Sequence, residues 1–426
     1  MNSMRIRVLA LLLLIASLSN AQIIELKKWL DTSPLKRSSL ENLSFSRQAL
    51  SQRDSEIALN LLVADKQTRI LNKYSKGWDN RLIEHNHYKM PFFYQVFGEE
   101  PLDGRSLFIS LHGGGGTLAS ANDQQYENQK YLYDIKMKSL EGVYLAPRAP
   151  TNTWNLWHQN HIDQFLNIII QLAILKENVN PNKVYLIGYS AGGDGVYQLA
   201  PRMGDRWAAA SMMAGHPNES SPLGLRNTPF TIHVGALDSD FKRNDKAKEW
   251  KIKLALLQKN DPKGYIHDVQ LHNGLGHWMK LQDTVALQWI KNYRRNPIPQ
   301  KVIWKQDNIH HFSFYWIETP KKSIVTGGEI IAEYNSSLNE INIVKNYSDQ
   351  IKLLINDKML NLNNPVTIKY KNSIIFKGFL HRTILNIYKS LSFKGDPNLA
   401  FPCMVHINHN KTIIEEELIS NPKKYK

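Results

Sequence analysis

A serine lies between two glycines in the pentapeptide Gly188-Tyr189-Ser190-Ala191-Gly192. The apolar run Val184-Tyr185-Leu186-Ile187 precedes it and predicts a strand, and the residues after it can form a helix. In a tight turn from strand to helix, the positions two before and two after the central residue have no room for a side chain, and both are glycine here. The pattern therefore predicts that Ser190 stands above the end of the strand, where its hydroxyl can act as a nucleophile.

A carboxylate and a histidine follow Ser190 in the chain order that such a nucleophile requires. A strand-like segment ends in Gly235-Ala236-Leu237-Asp238, which places Asp238 at the carboxyl end of a strand, with Asp240 as the alternative carboxylate. A later strand and a glycine-bearing loop lead to His277. Because a histidine can take the serine proton and a carboxylate can hold the imidazole in the accepting tautomer, we predict a triad of Ser190, Asp238 and His277.

A glycine-rich loop, His112-Gly113-Gly114-Gly115-Gly116, follows another strand-like run at residues 107–111. Glycines let backbone N–H groups turn toward the anionic oxygen that forms during acyl transfer. We predict that the N–H groups of Gly114 and Gly115, together with that of Ala191, form an oxyanion hole. A phosphate-binding loop is excluded, because no Gly-Lys-Ser or Gly-Lys-Thr completes it.

Two tryptophans and a histidine, Trp154, Trp157 and His158, lie in the stretch that follows Pro150. We predict that they form a wall of the substrate pocket, where aromatic rings can stack on a sugar or phenolic ring. Packing in the core is the alternative.

These motifs, in this order and strand context, resemble the α/β-hydrolase superfamily over residues 92–293. Within it, the secreted esterases of the polyhydroxyalkanoate-depolymerase, feruloyl-esterase and dienelactone-hydrolase-like group are the most similar. The resemblance implies an α/β-hydrolase fold, in which a mostly parallel sheet has helices on both faces. It also implies a serine hydrolase with Ser190 as nucleophile, His277 as base and Asp238 as the orienting acid, acting without a metal or cofactor.

The expected substrate is a small or polymeric carboxylic ester, including one linked to carbohydrate, cleaved through an acyl-enzyme. Two alternatives stay open at this point. A serine peptidase of the prolyl-oligopeptidase type uses the same triad, and a catalytically inert relative could bind glycan through another domain.

The spacing of apolar residues and the positions of prolines predict three folded regions after an N-terminal leader. Residues 22–89 have helical spacing and form an expected extension, and residues 90–297 alternate strands with helices, as α/β domains do. The prolines at Asn296-Pro297-Ile298-Pro299 interrupt that alternation. Residues 298–426 alternate apolar and polar positions, which predicts a mostly β, sandwich-like accessory domain. Its role stays open.

The leader at residues 1–21 has Arg5 and Arg7, an apolar run and then Ser19-Asn20-Ala21. This composition predicts a signal peptide that is cleaved after Ala21, so the mature protein is expected to be secreted or periplasmic. The apolar run is shorter than the roughly 20 residues that span a bilayer. No transmembrane segment is expected in the mature chain.

The composition limits the partners. The 426 residues carry a net charge of +15, but it is spread along the chain with no block of like charges, so a nucleic-acid partner is not expected. The single cysteine, Cys403, cannot close an intramolecular disulfide. The histidines at His85, His87, His310 and His311 have no acidic or cysteine neighbours at ligand spacing, so no metal site is predicted.

Overall fold

A computed structural model describes residues 21–408 and the backbone of residues 413–414. The predicted signal peptide therefore lies outside the described residues, apart from Ala21. The chain divides into two compact units. The large unit contains Ile70–Tyr315 and Ile324–Ile331, and of the described residues the small unit contains 21–69, Trp316–Ser323, 332–408 and 413–414. The large unit thus continues beyond the prolines at 297 and 299.

The large unit is built on one eight-stranded sheet, in the order β1-β2-β4-β3-β5-β6-β7-β8. The pairings of β2 with β1 and with β4 are antiparallel, and those from β4 through β8 are parallel. The strands are β1 Leu82–His85, β2 Tyr88–Phe97, β3 Arg105–Leu111, β4 Gly142–Pro147, β5 Val179–Tyr189, β6 Ala209–Met213, β7 Phe230–Gly235 and β8 His267–His272.

Helices lie between these strands and cover both faces of the sheet. Successive side chains of a strand point to opposite faces, and in β5 Val184 and Leu186 enter one apolar core while Tyr185 and Ile187 enter another. Both faces are therefore buried, as the continuous apolar runs predict. The helices are the end of α2 Gln52–Asp79, α3 Ala119–Tyr131, α4 Asp134–Met137, α5 Asn160–Glu177, α6 Ala191–Arg202, α7 Arg243–Asn260 and α8 Val285–Ile290.

One hairpin lies where the sequence suggested only helix. Strands β1 and β2 pair with Ile83 opposite Met90, and Asn86 and His87 connect them with φ angles of 45° and 68°. Two consecutive residues at positive φ form the tight turn that matches the twist of a two-stranded ribbon. Helical spacing of apolar residues upstream concealed this short element, whose core contact comes from the buried Ile83.

The small unit joins N-terminal helices to C-terminal strands. Helix α1 includes residues 21–31, and its Leu26 and Trp29 pack with Leu62 of α2 and with Leu391 of helix α9, which is Ile384–Lys394. The expected C-terminal β structure is present, whereas helix α9 was not expected. Past the large unit's strands β9 Lys301–Lys305 and β10 Ser313–Phe314, the chain forms β11 Ile317–Glu318, β12 Glu329–Asn335, β13 Glu340–Asn346, β14 Gln350–Ile355, β15 Val366–Tyr370, β16 Ser373–Gly378, α9 Ile384–Lys394, β17 Cys403–Asn408 and β18 Ile413–Ile414.

The strands of the small unit belong to two sheets, one with β11-β14-β17-β18 as hydrogen-bonded neighbours and the other with β16-β15-β13-β12. In neither part of the described chain is there a helix with the length and apolar character needed to cross a membrane.

Candidate active site

The turn at Ser190 joins β5 to α6 and has an unusual backbone. Ser190 has φ 57° and ψ −122°, a conformation that favours glycine, and its N–H donates to the carbonyl of Met213 on β6 at 2.9 Å. A Cβ added at Gly188 would lie 2.3 Å from the carbonyl oxygen of Gly192, and one added at Gly192 would lie 2.1 Å from that of Leu111. The two glycines of the motif therefore let β3, β5 and α6 approach closely enough to hold Ser190 at the edge of the sheet.

The histidine and the carboxylate meet Ser190 at the same edge. Nε2 of His277 lies 3.0 Å from Oγ of Ser190, and Nδ1 of His277 lies 2.8 Å from Oδ2 of Asp238. Asp238 is buried, whereas the rival Asp240 is exposed. The carboxyl ends of β5, β7 and β8 thus bring a hydroxyl, a carboxylate and an imidazole together, with the imidazole between the other two groups.

The loop with Asp238 is held by its own backbone and by the start of α7. The N–H of Asp238 donates to the carbonyl of Gly235 at 3.0 Å, and the N–H of Asn244 donates to the carbonyl of Asp238 at 3.0 Å. The side chain of Asn244 donates to the carbonyl of Ala236. A guanidinium nitrogen of Arg243 lies 3.2 Å from Oδ1 of Asp238. In the sequence Arg243 and Asn244 follow Asp238 closely, which is consistent with a role in orienting the acid loop or with a place on the surface.

Tyr189 fixes the loop that carries His277. Its hydroxyl donates to the carbonyl of His277 at 2.6 Å and accepts from the N–H of Met279 at 3.1 Å. Burial raises the pKa of the Tyr189 hydroxyl, which keeps it a neutral donor. This role was missed, although Tyr189 occupies a variable position of the serine motif.

The glycine-rich loop lies against Ser190. A Cβ on Gly113 would be 3.2 Å from the Cβ of Ser190, and Gly114 has φ 108°. The buried Asn122 on α3 accepts from the N–H of Gly115 at 2.9 Å and donates back to its carbonyl at 3.0 Å. The N–H of Gly115 is therefore already engaged, so the geometry does not support Gly115 as an oxyanion donor.

The N–H groups of Gly114 and Ala191 differ from that of Gly115. Within residues 21–408, neither has a hydrogen-bond acceptor in the protein. Ala191 is the first residue of α6, where N–H groups point outward and the helix dipole favours negative charge.

His112, the residue that begins the glycine-rich loop, has a structural role. The Nδ1 of His112 lies 2.5 Å from the carbonyl oxygen of Gly113, and its Nε2 accepts from the N–H of Ala149 at 3.1 Å. Burial lowers the pKa of His112 to about 4, so the imidazole is neutral and its donating nitrogen is Nδ1. This tautomer ties the loop to the end of β4.

A cavity of about 690 Å³ opens beside Ser190 and His277. The loop glycines form one side, and α3 contributes side-chain amides and apolar groups. Trp278, which is half exposed, also lines it. The remaining lining residues are Gly113, Gly114, Thr117, Ala121, Gln125, Asn128, Gln129, Leu132 and Tyr189.

The three residues predicted as a pocket wall have different surroundings. Trp157 is fully buried and donates to the carbonyl of His112 at 2.9 Å, so it is a core residue and supports the loop from below. His158 is largely buried, and burial lowers its pKa to about 4. Neither lines the cavity, and nor does Trp154. Trp154 is 56% exposed and packs against the exposed Phe241, with ring centroids 5.8 Å apart.

Asp194 is a buried carboxylate near the triad that does not belong to it. Asp194 follows the serine motif on α6 and accepts from the N–H of His216 at 2.6 Å. Burial raises the pKa of Asp194 to about 6, although the His216 N–H and the charges of Arg243 and His277 act in the opposite direction. Across the described ranges, no group of three or more histidine, cysteine, aspartate or glutamate side chains is arranged to hold a metal ion.

Several solved structures are similar to part of the chain. A thermostable esterase is 17% identical with a TM-score of 0.42, and the match covers 50% of this chain and 62% of that one. The poly(3-hydroxybutyrate) depolymerase of Bordetella parapertussis is 13% identical with a TM-score of 0.40, covering 53% and 96%. An acetyl xylan esterase from Aspergillus awamori is 13% identical with a TM-score of 0.36, covering 49% and 97%. No protein-family model matches the sequence, and no curated protein matches it.

Two of these neighbours are named esterases and one is named a depolymerase. The large unit itself has two diagnostic features, which are the order of its eight strands and the strand-turn-helix at Ser190. Both features are those of the α/β-hydrolase fold, and the large unit therefore has the fold that the sequence predicts.

Proposed function

We propose that this protein hydrolyses carboxylic esters through an acyl-enzyme on Ser190. One observation carries the proposal: a single imidazole, that of His277, lies 3.0 Å from the Ser190 hydroxyl and 2.8 Å from the buried carboxylate of Asp238. This arrangement makes the hydroxyl a nucleophile at neutral pH, because the base that takes its proton is oriented and its imidazolium form is stabilised.

The proposed reaction has two halves. As Oγ of Ser190 attacks the ester carbon, its proton moves to Nε2 of His277, and the tetrahedral oxyanion accepts hydrogen bonds from the N–H groups of Ala191 and Gly114. His277 then protonates the leaving alkoxide, and the alcohol departs from the acyl-enzyme. Water attacks the acyl carbon after giving a proton to His277, and the returned proton restores Ser190 as the carboxylic acid leaves.

The cavity supports an ester with a hydroxyl-bearing part, including one linked to carbohydrate. The amides of Gln125 and Asn128 and the hydroxyl of Thr117 line it and can bond to hydroxyl or carbonyl groups, whereas the amide of the buried Gln129 already donates to Ser110. Trp278 offers a half-exposed ring next to His277. Its position suits stacking on a sugar or aryl ring, and either a small ester or the end of a polymer would fit an open cavity of this size.

We further propose that the protein is exported after removal of residues 1–21. The residues that follow Ala21 are part of the folded small unit, since Ile23 and Leu26 are buried in its apolar core. Cleavage there would leave this core intact. Mass spectrometry of protein recovered outside the cytoplasm should give an N-terminus at Gln22.

A fluorophosphonate probe tests the hydrolase proposal without knowledge of the substrate. The probe should label the wild-type protein at Ser190 and leave Ser190→Ala unlabelled. The two proteins should have the same circular dichroism spectrum. An unlabelled, folded wild-type protein would indicate the inert glycan-binding alternative. Rates on p-nitrophenyl acetate and on a peptide anilide then separate an esterase from a peptidase of the prolyl-oligopeptidase type.

A further inference from the structure

The carboxylate of Asp238 has two partners, and one of them is a cation. Its side chain is 1% exposed; Oδ2 faces Nδ1 of His277 at 2.8 Å, and Oδ1 faces a terminal nitrogen of Arg243 at 3.2 Å. Within the described part of the chain, no other donor reaches this carboxylate. An ionised carboxylate at this depth needs compensation from donors or from an opposite charge. Arg243 supplies a donor and a positive charge to Oδ1, the oxygen that does not face His277.

The same arginine nitrogen also lies 3.4 Å from Nδ1 of His277. That ring nitrogen carries the proton donated to Asp238 when the imidazole acts as base, so the Arg243 nitrogen cannot donate to it in the active tautomer. What remains is the repulsion between the guanidinium and an imidazolium at short range. Within the triad, Arg243 is therefore a hydrogen-bond partner of Asp238 alone, and its charge lies close to the ring that receives the serine proton.

The side chain of Arg243 is itself held in place. It is 11% exposed, its guanidinium carbon lies 4.9 Å from the ring centroid of Phe241, and Arg243 begins helix α7 directly after the loop of Asp238. Phe241 and Lys242 have φ angles of 53° and 58°, which turn the chain so that Arg243 points back to the carboxylate. A merely solvated arginine would not need this packing.

We propose that Arg243 is a positioning residue for the triad, which holds the carboxylate of Asp238 aimed at His277 and places a positive charge beside the imidazole. The inference rests on the proposed function, because it concerns the same site. Other charged or titratable groups face this region from the neighbouring elements. They are Asp194 on α6, Tyr189 on β5, His216 after β6, and Lys246 and Glu249 on α7.

The test measures the rate at which a fluorophosphonate labels Ser190 from pH 4.5 to 9, a readout that needs no natural substrate. In Arg243→Gln we expect the acid-side midpoint of labelling to move up by about 0.5 to 1 pH unit and the plateau rate to fall about tenfold. Arg243→Lys should keep the midpoint and lose about threefold in plateau rate, because it keeps the charge but not the planar fork. Lys242→Gln, which removes a neighbouring charge, is the matched control and should behave as wild type.

Asp194 is the second group that could move the midpoint, because burial raises its pKa to about 6. The same pair of profiles is therefore recorded in an Asp194→Asn background, where the shift caused by Arg243→Gln should persist. A shift that disappears in this background would overturn the inference. So would a folded Arg243→Gln protein with the wild-type midpoint and plateau.

Arg243→Met, which keeps the packing on Phe241, replaces the Gln variant if that protein does not fold. If neither neutral variant folds, Arg243→Lys decides, and a wild-type plateau rate for it would contradict the positioning role. Failure of the hydrolase proposal itself looks different, because the wild-type protein would then not be labelled at all.

Discussion

The turn at Ser190 and the loop at Asp238 bring reactive groups to the same edge of the sheet by different means. At Ser190 the backbone does the positioning, since Gly188 and Gly192 leave no space for a Cβ and the serine N–H is bonded to the next strand. At Asp238 side chains do much of it, through Arg243 and Asn244. We therefore expect the turn to tolerate almost no substitution, whereas the position of the loop can be changed in small steps.

The largest effect on rate is expected in the loop at Asp238, which side chains hold in place. Asp238→Asn should lower kcat on p-nitrophenyl acetate by about 10⁴, because the amide favours the imidazole tautomer that cannot accept the serine proton. The unfolding temperature should change little. Asp240→Asn, an exposed carboxylate two residues away, is the control and should keep wild-type activity; a larger loss at Asp240 would transfer the acid role to it.

An added methyl group tests whether close backbone packing holds the turn at Ser190. In Gly192→Ala the new Cβ would meet the carbonyl oxygen of Leu111 at 2.1 Å, so the turn must shift. A displacement of about 1 Å at the nucleophile can cost about 100-fold in rate, and overpacking costs about 1–3 kcal/mol of stability. Both kcat and the unfolding temperature should therefore fall.

Gly276→Ala is the matched control for that change, because a Cβ at Gly276 has no atom within 4 Å although the residue precedes His277. It should keep wild-type stability. Equal stability of the Gly192 and Gly276 variants would argue that the turn at Ser190 is not held by close backbone packing.

The glycine-rich loop combines the two means, since its shape needs glycine but its position depends on Asn122. Asn122→Ala should free the N–H of Gly115 and loosen Gly114, and we expect kcat to fall about tenfold with little change in KM. Asn128→Ala, which alters the same helix at the cavity without touching the loop backbone, should instead change KM. The opposite pattern in the two variants would contradict this division of roles.

The smallest expected effect is on stability and concerns pH. Burial lowers the pKa of His112 and His158 to about 4 and that of His233 to about 3, below the ordinary value of 6.5. Below pH 6.5 the unfolded chain binds protons that the folded chain does not, so stability should be lost as the pH falls from about 6.5 to 4. Asp194, with its pKa raised to about 6, acts in the opposite direction over part of this range.

The net result should be a fall of about 5–10 °C in the unfolding temperature of the large unit between pH 6.5 and 4.5, measured by calorimetry. His233→Gln should reduce the slope, because one of the three neutral histidines is then absent. An unfolding temperature that does not change over this range would mean that these histidines are protonated without cost in the folded protein.

The α/β architecture could be predicted because strand and helix periodicities alternate along residues 90–297, and seven of the eight strands of the sheet lie where apolar runs indicate them. The eighth, β1, was missed because four residues in a hairpin carry too short a pattern. Helix α9 was missed because the alternation of the surrounding strands dominates that part of the sequence.

The chain itself determined which groups come together: the glycines around Ser190 permit only one kind of turn, and Asp238 and His277 follow the ends of strands. The tertiary structure alone decided the finer contacts. A pattern of residue types shows that Gly115 can turn its N–H outward, but only the fold shows that Asn122 takes it. Likewise, only packing distinguishes the buried Trp157 from the exposed Trp154, and only the turn after Asp238 brings Arg243 back to it, because such contacts depend on distances between segments far apart in sequence.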